Sequence, residues 1–192
     1  MKATHRGHCQ VCNRIQKLPD GKLAKHGYQV LSGYFEGTCF GSGELPLEQD
    51  KAIVVKSIEW AKARQADFEK EVTTWSKPAT GLEAWFNEWV ESTSRYLPSR
   101  YVWRRVPLLQ EKVTPRPDYT YTENFFINHK GEKVPLRRHS IYGDDLLKIA
   151  NELNAKYVEQ YLKKAVKDMK QYAADQQYRI KVWHKQPLLP LE

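Results

Sequence analysis

All three cysteines of the 192-residue chain fall within residues 1–45, a stretch that also holds seven of its ten glycines. Glycine at that density interrupts long regular elements. Residues 1–45 are also too poor in aliphatic side chains to build a core of their own, so they need some other staple. Cys9-Gln10-Val11-Cys12 is a C-x2-C pair, the spacing that lets two thiolates converge on one ion while nearby amides donate to the sulfurs. His26 lies 14 residues beyond Cys12, and Cys39 lies 13 beyond His26. Three thiolates and one imidazole make the Cys3His set of a closed structural zinc site. The expected cofactor is a structural Zn2+ held by Cys9, Cys12, His26 and Cys39. Leu18-Pro19-Asp20-Gly21 is a turn sequence that can fold His26 back onto the knuckle.

Three other readings compete. His5 and His8 are rivals for the fourth position, although His8, next to Cys9, should project away from the ion. The cysteines can instead be free buried thiols. A catalytic zinc needs an open position and a nearby acid or base, for which Glu36 is the only close candidate.

The same residues carry a resemblance. Cys9-x2-Cys12, Lys25-His26-Gly27 and Cys39-Phe40-Gly41-Ser42-Gly43 resemble a short zinc-binding module of C-x2-C…[KR]-H-G…C-x-G-S-G type, found in small proteins of bacteriophages, prophages and mobile elements. The resemblance covers about residues 8–45 and implies metal binding and a phage-like origin, with no single activity. The insert from Tyr28 to Thr38 is longer than in that pattern.

The remainder reads as α+β. Val54, Ile58, Ala61, Gln65, Phe68, Val72 and Trp75 recur at alternating spacings of four and three, a heptad-like seam. Helices are predicted over about 46–76, over 80–96 (opened by the capping-box sequence Thr80-Gly81-Leu82-Glu83) and over 144–182. The aromatic, β-branched segments between 100 and 138 predict a small antiparallel sheet. The expected fold is therefore an N-terminal structural zinc module at 1–45 and an α+β domain at 46–192, with long antiparallel helices and that small sheet.

A net charge of +8 favours polyanionic partners. Its basic excess concentrates in residues 1–45 and 97–142. Arg104, Arg105, Arg137, Arg138, Arg14 and Lys17 are the candidate phosphate contacts, since arginine grips phosphate through a bidentate fork. Trp85, Trp89, Trp103 and Tyr101 are candidate anchors for a partner, protein or unpaired base. The Lys163, Lys164, Lys167 and Lys170 run reads as a solvated helix face.

No catalytic constellation is visible. Gly41-Ser42-Gly43 lacks the strand and lysine of a phosphate loop, and Asp144-Asp145 reads as a helix start rather than a partner for His139. The mean hydropathy of −0.71 and the lack of a long apolar run exclude a membrane span. No apolar leader is seen in residues 1–8, so a reducing cytoplasm, the host's if phage-encoded, is expected. The expectation is a non-enzymatic, phage-type regulatory or accessory protein that binds DNA or RNA. The alternative is an inhibitor or adaptor acting on a host complex, such as a defence nuclease or the transcription machinery. Self-association through the long helices is a further expectation.

Overall fold

The computed structural model describes residues 2–29, 35–92, 99–140 and 145–191, without the side chains of 28, 29, 35, 36 and 137–140. Among these residues the chain begins with β1 (His5–His8), β2 (Ile15–Lys17), a 3-10 turn at Pro19–Gly21, β3 (Tyr28–Gln29) and β4 (Phe35–Glu36). It continues through α1 (Ala52–Trp75), β5 (Glu83–Val90), β6 (Arg100–Pro107), β7 (Leu109–Arg116), β8 (Tyr119–Ile127) and β9 (Lys133–Ser140). It ends with α2 (Leu146–Tyr157), a π-turn at Val158–Leu162, α3 (Lys163–Lys181) and β10 (Leu189–Pro190). Two compact units result, Met1–Gln65 with Lys167–Glu192 and Ala66–Val166.

In the first unit, β1 is the central strand of an antiparallel sheet ordered β10-β1-β2. His5 faces Pro190, and Gly7 faces Gln16. Gly7 has no room for a side chain, because a Cβ there would lie 2.6 Å from that of Pro46. The core beneath is small: Cys9, Leu18, Leu23 and Cys39 are buried, with Leu188 of the C-terminal segment packed on them. Val54, Ile58 and Ala61 bury the inner stripe of the first half of α1, and Trp60 meets Tyr172 edge to face at 6.4 Å.

In the second unit, β5 and β6 pair antiparallel from Glu83↔Pro107 to Val90↔Arg100. Opposed residues share a face, which sorts the hairpin. Ala84 and Val106 point into a core with Leu108, Phe126, Ile149 and Ala150. Trp85, Trp103, Trp89 and Tyr101 lie on the other face. There Trp85 stacks on Tyr157 at 4.3 Å, and the Trp85 amide donates to Asn154 Oδ1. Asp145 caps α2 by accepting from the Leu147 amide at 2.9 Å, the helix start its sequence implied. Sheet β7-β8-β9 completes the unit.

The α+β class fits, but the arrangement of long antiparallel helices beside one small sheet is corrected. One long helical run, 36 residues over 146–181, stands out, and the strands are spread over several small antiparallel sheets. The predicted helix 80–96 is strand β5 where it is described. Its aromatic side chains alternate between two faces, and the buried carboxylate of Glu88 on the inner face hides the period of two. Helix α1 starts at Ala52 rather than near 46. Pro46 is buried against Gly7, and Glu48 turns inward to His8 instead of serving a first helical turn. No helix among the described residues is long and apolar enough to cross a membrane.

Candidate metal centre

Two turns and one loop converge on a single point. The first turn carries Cys9 and Cys12. The Asn13 amide donates back to the Cys9 carbonyl at 2.9 Å, and Asn13 takes the left-handed conformation (φ 57°) that closes it. The second carries Cys39, whose carbonyl accepts from the Ser42 amide at 2.9 Å. The Cys39 amide donates to the His26 carbonyl at 2.8 Å, which sets His26 beside that turn. The ligating atoms of Cys9, Cys12, His26 and Cys39 all lie within 4.8 Å of one another, a group that can hold a metal ion. Cys9 Sγ and Cys39 Sγ are 3.8 Å apart, and Cys12 Sγ and His26 Nε2 are 3.5 Å apart.

The surrounding groups orient these atoms. His26 Nδ1 sits 2.8 Å from the Ala24 carbonyl, which can only accept, so Nδ1 carries the proton. The lone pair of Nε2 then faces the sulfurs, the tautomer a metal requires. Ser42 Oγ accepts from the His26 amide at 3.1 Å and donates to the His26 carbonyl at 3.2 Å. The Val11 amide donates to Cys9 Sγ at 3.4 Å. Arg14 reaches over to the Gly27 carbonyl and ties the knuckle to the histidine loop. Gly41 is required sterically, since a Cβ there would fall 2.3 Å from Cys9 Sγ.

Protonation is uneven across the group. Burial pushes the Cys9 thiol up to about 12, against the pull of the Cys12 and Val11 amides. Burial also raises Cys12, but hydrogen bonds from Arg14, Cys9 and His26 outweigh it and bring that thiol down to about 6. A cation offsets the cost of burying further thiolates here, and binding it displaces protons. The rival histidines are engaged elsewhere. His8 Nδ1 pairs with buried Glu48, and His5 Nδ1 lies 3.0 Å from Thr4 Oγ1.

The other sequence candidates are scattered. Arg104 is held by Glu88 at 3.1 Å and by the Ile127 carbonyl at 2.7 Å. Arg105 pairs with Glu83 and lies over the Trp75 ring. Arg14 belongs to the metal loops, and Lys17 is exposed on β2. Arg137 and Arg138 lie on β9, and their side chains are outside the described residues, as are Asp144 and the side chain of His139. Trp85 and Trp103 pack against Tyr157. Trp89 and Tyr101 remain 48% and 65% exposed, forming an edge-to-face ring pair at 5.0 Å. Gly41 and Ser42 belong to the Cys39–Gly43 motif of the resemblance, whereas the inward Glu48 was missed as a supporting residue.

Compared with known protein families, with curated proteins and with solved structures, the chain matches none.

Proposed function

We propose that this chain is a non-enzymatic zinc-binding accessory or regulatory protein of phage type whose ligand is nucleic acid. The observation that carries the zinc assignment is the spacing of the donors. A tetrahedral zinc with sulfur at about 2.3 Å and nitrogen at about 2.05 Å sets a sulfur–sulfur edge of about 3.75 Å and a sulfur–nitrogen edge of about 3.55 Å. Of the six separations here, Cys9 Sγ–Cys39 Sγ is 3.8 Å and Cys12 Sγ–His26 Nε2 is 3.5 Å, and all lie within 4.8 Å. Four protein ligands fill a tetrahedron, so the ion is structural and has no position for a substrate. The test is metal analysis of protein purified without added metal. One zinc per chain is expected, and substantially less defeats the assignment.

Support for nucleic acid comes from the exposed Trp89–Tyr101 pair on a strongly basic chain. Bare rings offer stacking surfaces to unpaired bases, and Arg100 stands on the strand end beside them. Arg104 and Arg105, tied to Glu88 and Glu83, are poorer phosphate contacts than the sequence implied. Binding of a labelled single strand is expected to weaken steeply with salt and to drop on Trp89→Ala. No binding at low salt, or salt-independent binding, removes this reading. The same ring pair also suits a protein pocket. Retention of a host protein after nuclease treatment, lost in Trp89→Ala, would favour the inhibitor or adaptor reading instead.

A further inference from the structure

Within the first unit, the segment that follows α3 returns alongside residues 46–49 and helps to enclose a cavity of about 300 Å³. Hydrogen bonds fix that wall. The Trp183 indole donates to the Leu47 carbonyl at 2.6 Å, and the Gln186 amide donates to the Glu48 carbonyl at 2.9 Å. The Gln49 side chain donates to the Gln186 carbonyl, also at 2.9 Å. The space is thus held by the fold itself, and its size is at the lower end of those that take small ligands. Arg179 of α3 and Asn13, from the turn that carries Cys9 and Cys12, line it as well.

The lining favours an anion. Arg179 spends Nη1 on the Gln10 carbonyl at 3.2 Å and on Gln176 Oε1 at 2.6 Å. Its Nη2 is buried and has no hydrogen-bond partner among the described residues. A buried donor on a charged group is costly to leave without an acceptor, so an acceptor that enters the cavity is stabilised there. Asn13, at φ 57°, has no side-chain hydrogen bond among the described residues, and Gln186 Nε2 makes only a 3.4 Å contact with His184. Lys51 Nζ adds a second cation, 4.7 Å from the centre of the Trp183 ring. The one carboxylate on the lining, Glu48, is directed at His8. It accepts from the His8 amide at 2.9 and 3.0 Å and meets His8 Nδ1. His184 is exposed and held only by contacts of 3.4 Å, so its ring can turn to admit a group. Several donors around one small space suit the many oxygens of a phosphate better than the two of a carboxylate.

We propose that this cavity binds a phosphate monoester, the terminal phosphate of a nucleic-acid strand, through Arg179, Asn13 and Gln186. The strand end as its source rests on nucleic acid being the ligand. A free nucleoside monophosphate carries the same group, and the test separates the two.

The test uses the full-length zinc-loaded chain, fluorescein-labelled oligo(dT) 12-mers read by anisotropy, and thymidine 5′-monophosphate read by calorimetry. Paired 12-mers differ only at the unlabelled end, phosphate against hydroxyl, at the 5′ side in one pair and the 3′ side in the other. In one pair the phosphate is expected to tighten binding roughly tenfold or more, the order of one charge-assisted hydrogen bond. Asn13→Asp keeps the size and tolerates the positive φ, but it replaces a donor with a negative charge and should erase that advantage. Arg179→Gln should erase it too. Both variants should bind the hydroxyl-ended strand within twofold of wild type. Thermal melts and zinc content report the folding of each variant separately. If the monophosphate binds and is lost in Asn13→Asp while all 12-mers bind alike, the site stands and the free nucleotide is its ligand. If phosphate and hydroxyl ends bind within twofold of each other and the monophosphate does not bind, the cavity is overturned. The broader reading then stands or falls on the hydroxyl-ended strand alone.

Discussion

Gly41→Ala is the sharpest test of the metal centre, because it inserts one methyl group into a known gap. The added carbon would lie 2.3 Å from Cys9 Sγ, where ordinary contacts begin near 3.4 Å. Either the sulfur or the turn must yield by about 1 Å, and Cys9 is wholly buried with nowhere to go. Metal–ligand distances tolerate only about 0.2 Å, so the substitution in effect removes a ligand. Structural zinc binding is worth about 10–16 kcal/mol, or roughly 2.5–4 kcal/mol for each of four ligands. At 1.4 kcal/mol per decade, zinc affinity should fall by about two to three orders of magnitude. Competition with a chromophoric chelator measures it. Gly43→Ala is the control. It stands at φ +78° with nothing within 4 Å of the new carbon, so it should cost about 1 kcal/mol of backbone strain and leave zinc affinity alone. If Gly41→Ala keeps its zinc with affinity within threefold of wild type, the converging turns described above are wrong.

Other perturbations probe the remaining structure. Cys39→Ser should disorder residues 1–45 yet keep most helical circular dichroism; complete loss of the helical signal would show that the helices depend on the ion. Zinc affinity should rise at least about tenfold per pH unit between pH 6 and 8, since the Cys9 thiol, held at about 12, must give up a proton to bind; a flat profile by chelator competition contradicts this. Glu88 sits among bonds from His129 and Arg104, which overcome burial and hold its carboxyl below 4.5. Its contribution is present above that pH and fades as acid titrates it through its lower folded value. Glu88→Gln should therefore cost about 2 kcal/mol at neutral pH in denaturant melts and flatten the acid limb. Phe126→Ala, at 1% exposure in the second unit's core, should cost about 3–5 kcal/mol.

How much of this was readable in advance depended on the length scale of each signal. The metal group was legible because cysteine and histidine are rare and their spacings are local; four positions defined it. Helix α1 was legible from Val54, Ile58, Ala61 and Phe68, since a stripe of small and large apolar residues at alternating three and four has few other uses. Strand β5 was not. In Glu83-Ala84-Trp85-Phe86-Asn87-Glu88-Trp89-Val90 both faces carry aromatics, and the inward position at Glu88 is a carboxylate whose partners, Arg104 and His129, lie 16 and 41 residues away. The inward turn of Glu48 was hidden for the same reason, because His8 is 40 residues distant. Hydrogen bonds between segments that far apart leave no periodic trace.

The pairing of His5 with Pro190 has a bearing on biosynthesis. Once made, β1 stays open along one edge until some 185 more residues have been added, and Leu188, which packs on the cysteine cluster, arrives equally late. The four donors at Cys9, Cys12, His26 and Cys39 are all made long before the strand that closes the sheet around them.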